Sequence, residues 1–181
     1  MKTLVIGATG TIGTEVAAQL EAAGHDVLRA SRRGWPRVDL ADPDSIAALF
    51  ASVGELDAVV CCAAGAPLTP LLDDGFLGSL TAKLFGQVEV VRRALPHVRD
   101  GGAIVVTSGQ IPDATPGSAG GALVNAGLDA FAAAAAAELP RGIRLRAISP
   151  GWVRETLAAL GMDPSDGAPA ADVARLYVEA L

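Results

Sequence analysis

Three glycines spaced three apart, Gly7, Gly10 and Gly13, stand between an apolar run, Thr3–Ile6, and a segment whose helical pattern begins at Ile12. Strand, glycine loop and helix in that order constrain the fold more than any other feature of the chain. Glycines permit the tight turn and let backbone approach a ligand closely. The unpaired N–H groups and the dipole of the following helix then face an anion. A pyrophosphate suits that arrangement, so Gly7, Thr9, Gly10, Thr11 and Ile12 are expected to hold a dinucleotide. The plainer alternative is a Gly-rich turn with no ligand.

The same alternation continues along the chain. Strand candidates are Thr3–Ile6, Asp26–Ala30, Arg37–Asp39, Ala58–Cys62, Ala103–Thr107 and Arg144–Ile148, mostly continuous apolar runs of the kind covered on both faces. Helix candidates are Ile12–Ala23, Pro43–Val53, Phe76–His97, Gly120–Leu139 and Ala170–Ala180. Asp42-Pro43-Asp44 caps the second, and Pro140 stops the fourth. This β-α order predicts an α/β domain spanning 1–181: a doubly wound, Rossmann-type parallel sheet of about six strands. The long loops, Gly65–Gly75 and Ile111–Gly121, follow strand ends, where such sheets bind ligands.

Composition narrows the classes. Apolar residues are 51% of the 181, enough for one large core. A net charge of −6, with scattered Lys and Arg, argues against nucleic acid. Val124–Leu139 comes nearest to a membrane span but is interrupted by Asn125, Asp129 and Glu138. The N-terminus runs straight into a strand pattern, so no signal peptide is expected, and cytoplasmic residence follows. Adjacent cysteines in a strand point to opposite faces, so Cys61 and Cys62 read as free, buried thiols. No metal-ligand spacing is present.

The end of the second strand speaks to the type of dinucleotide. An NAD site usually places Asp or Glu there, on the ribose 2′-hydroxyl. Here the sequence is Ala30-Ser31-Arg32-Arg33. A hydroxyl and a guanidinium suit a 2′-phosphate, which a carboxylate would repel, so NADP is the expected cofactor. The alternative is that the two arginines are only a solvated turn.

Taken together, these residues resemble the short-chain dehydrogenase/reductase family over nearly the whole chain. Gly7-x-x-Gly10-x-x-Gly13 is similar to its cofactor loop. Val38-Asp39-Leu40 is similar to its adenine-contacting segment, Cys62-Ala63-Ala64-Gly65 to the motif after the fourth strand, and Ile104-Val105-Val106-Thr107-Ser108 to the strand ending in its catalytic serine. Ile148-Ser149-Pro150-Gly151-Trp152-Val153 is similar to the segment beside the nicotinamide. The resemblance implies hydride exchange between NADP and a small carbonyl or alcohol. It implies cofactor contacts from Ser31, Arg32, Asp39, Leu40, Ala63, Ala64, Gly65, Pro150, Gly151 and Val153, and a homodimer through the fourth and fifth family helices.

The pattern departs at the chemistry. In the family a Tyr-x-x-x-Lys pair supplies the acid, and an Asn on the preceding helix holds a relay water. Matching Asn125-Ala126-Gly127-Leu128-Asp129-Ala130-Phe131 to that helix puts Gly121 at the Tyr position and Asn125 at the Lys position, while Lys83 falls where the relay Asn belongs. The one tyrosine, Tyr177, lies far from this segment in sequence. The expected catalytic set is therefore Ser108 to orient the substrate, Lys83 or water to supply a proton, and Asn125 on the ribose. Family members also usually run on into a further strand after the last helix, so part of the substrate pocket and of one subunit interface is expected to differ. The rival reading is a non-catalytic NADP-binding sensor or partner protein.

Overall fold

A computed structural model describes residues 1–63, 65–111 and 115–181. Its centre is a parallel sheet: β1 (Lys2–Ile6), β2 (Asp26–Ala30), β3 (Leu56–Cys61), β4 (Val98–Thr107) and β5 (Arg144–Ile148), in the order β2-β1-β3-β4-β5. The central strands are the continuous apolar runs, and alternate side chains feed two cores. Leu4, Ile6, Val59, Cys61, Ile104 and Val106 point to one layer, while Val5, Val60 and Val105 point to the other.

The first layer holds helices α2 (Pro43–Val53) and α3 (Gly86–Ala94) and part of α4 (Ala119–Ala135). The second holds α1 (Thr11–Ala22) and α6 (Ala170–Glu179). A short α5 (Arg154–Ala159) follows β5. The Asp42 carboxylate accepts the Asp44 N–H at 3.0 Å with Pro43 in the first turn, so α2 starts where its cap places it. Cys61 and Cys62 are free and divide between the two layers.

The sheet has five strands rather than about six, because Arg37–Asp39 is not a strand. Among the described residues that segment pairs with the sheet only through a bridge between Ser31 and Arg37. Val38 and Leu40 are drawn into the core, and the Asp39 N–H is taken by the Ser45 hydroxyl at 2.9 Å, so no ladder can propagate. The helix expected over Phe76–His97 is two pieces. Residues Leu80–Phe85 form a π-helix, and α3 ends at Ala94. β4 begins earlier than the apolar run implied: Val98 pairs with Leu56, and a register shift between that pair and Ala58–Ala103 absorbs the polar stretch. A Cβ on Gly102 would lie 2.6 Å from the Asp57 carbonyl, so only glycine fits there.

Between β1 and β3 the strand order reverses. The chain leaves β1 through Gly7 and β3 through Ala63, and the two exits touch: a Cβ on Gly7 would sit 2.8 Å from Ala63 Cα and N. Gly7 also has φ +84°, which disfavours any side chain. In an open α/β sheet this is the crevice where ligands bind.

Candidate functional site

Gly10 forms the N-cap of α1 with extended backbone and no capping side chain. The Gly10 N–H donates to the Gly7 carbonyl at 2.9 Å, closing the loop, and the helix ladder starts only when the Thr14 N–H reaches the Gly10 carbonyl. The first-turn N–H groups of Thr11, Ile12 and Gly13 are therefore free to bind an anion. Thr9, Gly10 and Thr11 are exposed at this mouth.

At the end of β2, Ser31 is buried, and its hydroxyl oxygen accepts the Gly34 N–H at 2.8 Å. Arg32 and Arg33 are exposed and make no ion pair among the described residues. The half-buried Asp39 accepts the Ala41 N–H at 3.0 Å. Leu40 is buried beneath Gly86, where a Cβ would meet the Leu40 carbonyl at 2.4 Å. Ala63 is half-buried and Gly65 exposed, while Ala64 lies outside the described residues. Across the crevice Pro150 and Val153 are buried and Gly151 is exposed. The Gln110 N–H donates to the Pro150 carbonyl at 2.7 Å, tying the exit of β4 to this segment.

Ser108 is the most tightly specified residue in the site. Its N–H donates to the Ile148 carbonyl at 3.0 Å, its carbonyl accepts from Lys83 Nζ at 2.8 Å, and its hydroxyl donates to Asp129 Oδ1 at 2.5 Å. Thr107 before it is held as firmly. β3 has ended at Cys61, so the Thr107 N–H and carbonyl on that side have no strand to pair with. The buried Gln87 amide takes both, accepting at 2.8 Å and donating at 2.8 Å. The Thr107 hydroxyl donates to the Cys61 carbonyl at 2.6 Å and so accepts from the Tyr177 phenol at 2.8 Å.

The π-helix is the local device that aims Lys83. Its wider turn carries the side chain inward until only 7% remains exposed. Burial pushes the ammonium down to about 8, and the nearby Asp129 charge partly opposes it. This value has a consequence for stability. The folded chain gives up the proton near pH 8, whereas the unfolded chain keeps it to about 10.5. Between those values the unfolded state binds more protons, so stability rises with pH. Relative to Lys83→Met, the wild type should gain about 3 kcal/mol between pH 7 and pH 10.5. Denaturant unfolding of both proteins across that range checks it, and parallel curves would show that Lys83 is not buried as a charge.

Asn125 faces the same site, 7% exposed, and its Oδ1 has no hydrogen-bond partner among the described residues. An unpaired buried acceptor calls for a donor such as a sugar hydroxyl. With the close-packed glycine cradle and the open helix terminus, this side of the site fits a nicotinamide dinucleotide.

Two residues of the constellation, Asp129 and Gln87, are not among the expected set. Each stands four residues after one that is, Asn125 and Lys83, and so shares its helix face. Polar pairs at that spacing on otherwise apolar helix faces are the signal the sequence offers.

The family model described as enoyl-(acyl carrier protein) reductase matches residues 11–176. The protein lin1944 from Listeria innocua is 33% identical, with a TM-score of 0.91 over all of this chain and 94% of its own. The chain belongs to the short-chain dehydrogenase/reductase family. A small-chain dehydrogenase solved in complex with NADPH is 28% identical with a TM-score of 0.86, covering 99% of this chain and 90% of its own. A short chain dehydrogenase from Burkholderia cenocepacia J2315, solved with NADP, is 25% identical with a TM-score of 0.80, covering 97% and 88%. A comparison with curated proteins gives no match.

The chain's phenol lies beneath this site rather than in it. Tyr177 is the chain's only tyrosine and is fully buried, its hydroxyl committed to Thr107. Burial and the neighbouring cysteines push it far above the usual phenol range. It cannot serve as an acid near neutral pH.

Proposed function

We propose that this chain is an NADP-dependent oxidoreductase acting on a small carbonyl or alcohol through an altered active site. The observation that carries the reading is the pairing of an open, glycine-built helix terminus with two exposed arginines at the end of β2, which make no ion pair among the described residues and beside which no carboxylate stands in the sequence 30–33. The NADPH and NADP complexes of similar chains support it. On this reading Gly7, Thr9, Gly10, Thr11 and Ile12 hold the pyrophosphate. Ser31 and Arg32 hold the 2′-phosphate, and Asp39 and Leu40 border the adenine. Ala63, Ala64 and Gly65 line the crevice, and Pro150, Gly151 and Val153 flank the nicotinamide. The bound cofactor would supply or accept the hydride.

The chain's own residues do the rest. Asn125 Oδ1 accepts from a ribose hydroxyl. Ser108 Oγ lies against the substrate oxygen, and Lys83 stabilises negative charge developing there from its place on the Ser108 carbonyl. We place the chain in the cytoplasm and pair it with a second copy. Exposed Leu77, Phe85 and Leu123 and the outward alanines of α4 support that interface. Helix Ala119–Glu138 is long and apolar enough to cross a membrane by length and composition, but as α4 it carries Asn125 and Asp129 into the site.

A second reading, a non-catalytic NADP-binding sensor or partner, is favoured by the remote Tyr177 and the engaged Ser108 hydroxyl. Titration with NADPH and NADH separates the outcomes. The fluorescence of half-buried Trp152, beside Gly151, reports the nicotinamide side. NADPH should bind at least about tenfold tighter, a difference of about 1.4 kcal/mol. Equal affinities would refute the role of Ser31 and Arg32. Tight NADPH binding without turnover across carbonyl and alcohol panels would establish the second reading.

A further inference from the structure

The Ser108 hydroxyl has one proton, which it donates to Asp129 Oδ1 at 2.5 Å, with the Ile148 carbonyl a longer second acceptor at 3.4 Å. What Oγ offers a ligand is therefore a pair of acceptor sites, which recognise a hydroxyl group rather than a carbonyl oxygen. Asp129 differs from its neighbours in the site in being exposed to solvent, while Ser108 is 2% exposed and Lys83 7%. The pair thus runs from a buried oxygen to a water-facing carboxylate. The groups around it are fixed: Lys83 holds the Ser108 carbonyl, Ile148 its N–H, and Gln87 the residue before it. A serine that merely opened a loop would not need a buried cation on its carbonyl and a carboxylate on its hydroxyl.

We propose that Asp129 is the proton acceptor behind Ser108, that the two together stand in for the missing phenol, and that the substrate they recognise is an alcohol. The inference rests on the oxidoreductase reading above and names the substrate class and proton route for the same site. In the oxidation, the substrate O–H bond breaks and its proton passes to Ser108 Oγ. The Ser108 O–H bond breaks with it, and that proton passes to Asp129 Oδ1. The substrate C–H electron pair leaves as hydride to oxidised NADP, and a C=O bond forms. Asp129 then releases its proton to water, so one alcohol yields one carbonyl compound, one reduced cofactor and one proton. Asp129 acts through Ser108 and is a positioning residue in this scheme.

The test is alcohol oxidation with NADP by the full chain, comparing wild type, Asp129→Asn, Asp129→Glu and Ser108→Ala over a range of pH. Asp129→Asn should keep the wild-type melting temperature and NADPH affinity but lose about 100-fold in kcat. It should also lose the rise of kcat with pH that a carboxylate base produces. Asp129→Glu should restore that rise. Combining Asp129→Asn with Ser108→Ala should cost little more than either alone, since they break one path. If Asp129→Asn does not fold, Ser108→Ala must lose the same pH dependence. Unchanged kcat and pH profile in Asp129→Asn, or additive losses in the double variant, would overturn the inference and leave the oxidoreductase reading standing. A wild type that binds NADP yet oxidises no alcohol while reducing carbonyls overturns the substrate class, and one that does neither overturns both readings.

Discussion

Gln87→Leu should destabilise the protein by about 3 kcal/mol and lower its melting temperature by about 6–12 °C. Leucine is similar in size, so little packing volume is lost. What changes is that the Thr107 N–H and carbonyl, both inside the protein, lose their partners at once. A buried unsatisfied backbone group costs about 1–3 kcal/mol, and water has no route to a residue that is fully buried. Gln87 functions here as a stretch of missing strand. It completes the hydrogen bonding of β4 where β3 has turned away toward Ala63. Because Ser108 follows directly, the substitution should also loosen the Ser108–Asp129 bond and lower turnover. Thermal and denaturant unfolding measure the first effect. A loss under about 1 kcal/mol would mean that the strand end repacks to pair Thr107 in another way.

Gly13→Ala should raise the Kd for NADPH by about 100-fold, or 2.7 kcal/mol, and should destabilise the fold as well. The added methyl would lie 2.1 Å from the Gly7 carbonyl oxygen and 2.8 Å from its carbon. Both are backbone atoms of the loop itself, so the loop must open. Gly10→Ala is the informative contrast. Its Cβ would meet only the Gly7 carbonyl, at 3.4 Å, an ordinary contact. That variant should fold with nearly wild-type stability and still bind NADPH more weakly, because its methyl stands at the exposed mouth where the pyrophosphate approaches. Calorimetric titration paired with thermal melts separates the two. Equal stability for the Gly13 and Gly10 variants would show that the loop is more compliant than this packing implies.

Much of the fold is readable because the same residues carry both local and global instructions. Val59, Val60, Ile104 and Val105 belong to short β-branched runs apolar on both faces, which suits an interior parallel strand. Asp42 and Pro43 mark the start of α2 by cap chemistry alone. The misread pieces are those where tertiary contacts decide. Arg37–Asp39 alternates like a strand, yet Ser45 takes the N–H a ladder would need. The π-helix has no sequence signature, since Leu80–Phe85 would pass as ordinary α-helix. In the site, Ser108, Lys83 and Asn125 stand out by type and position. Asp129 and Gln87 do not, because their roles depend on which backbone or hydroxyl group lies across from them.

The sheet ends on β5, whose outer edge pairs with no strand among the described residues. A free edge of a parallel sheet is a template for any extended chain, including another copy of this one. Two of the five residues of β5 are exposed arginines, Arg144 and Arg146, flanking the buried Leu145. The Arg144 guanidinium donates to a Leu181 oxygen, which leaves Arg146 to set like charge against like when two copies meet edge to edge. On an otherwise acidic protein, a cation on this edge strand opposes edge-to-edge approach, while the other end of β5 leads through Ile148 to Pro150 at the crevice.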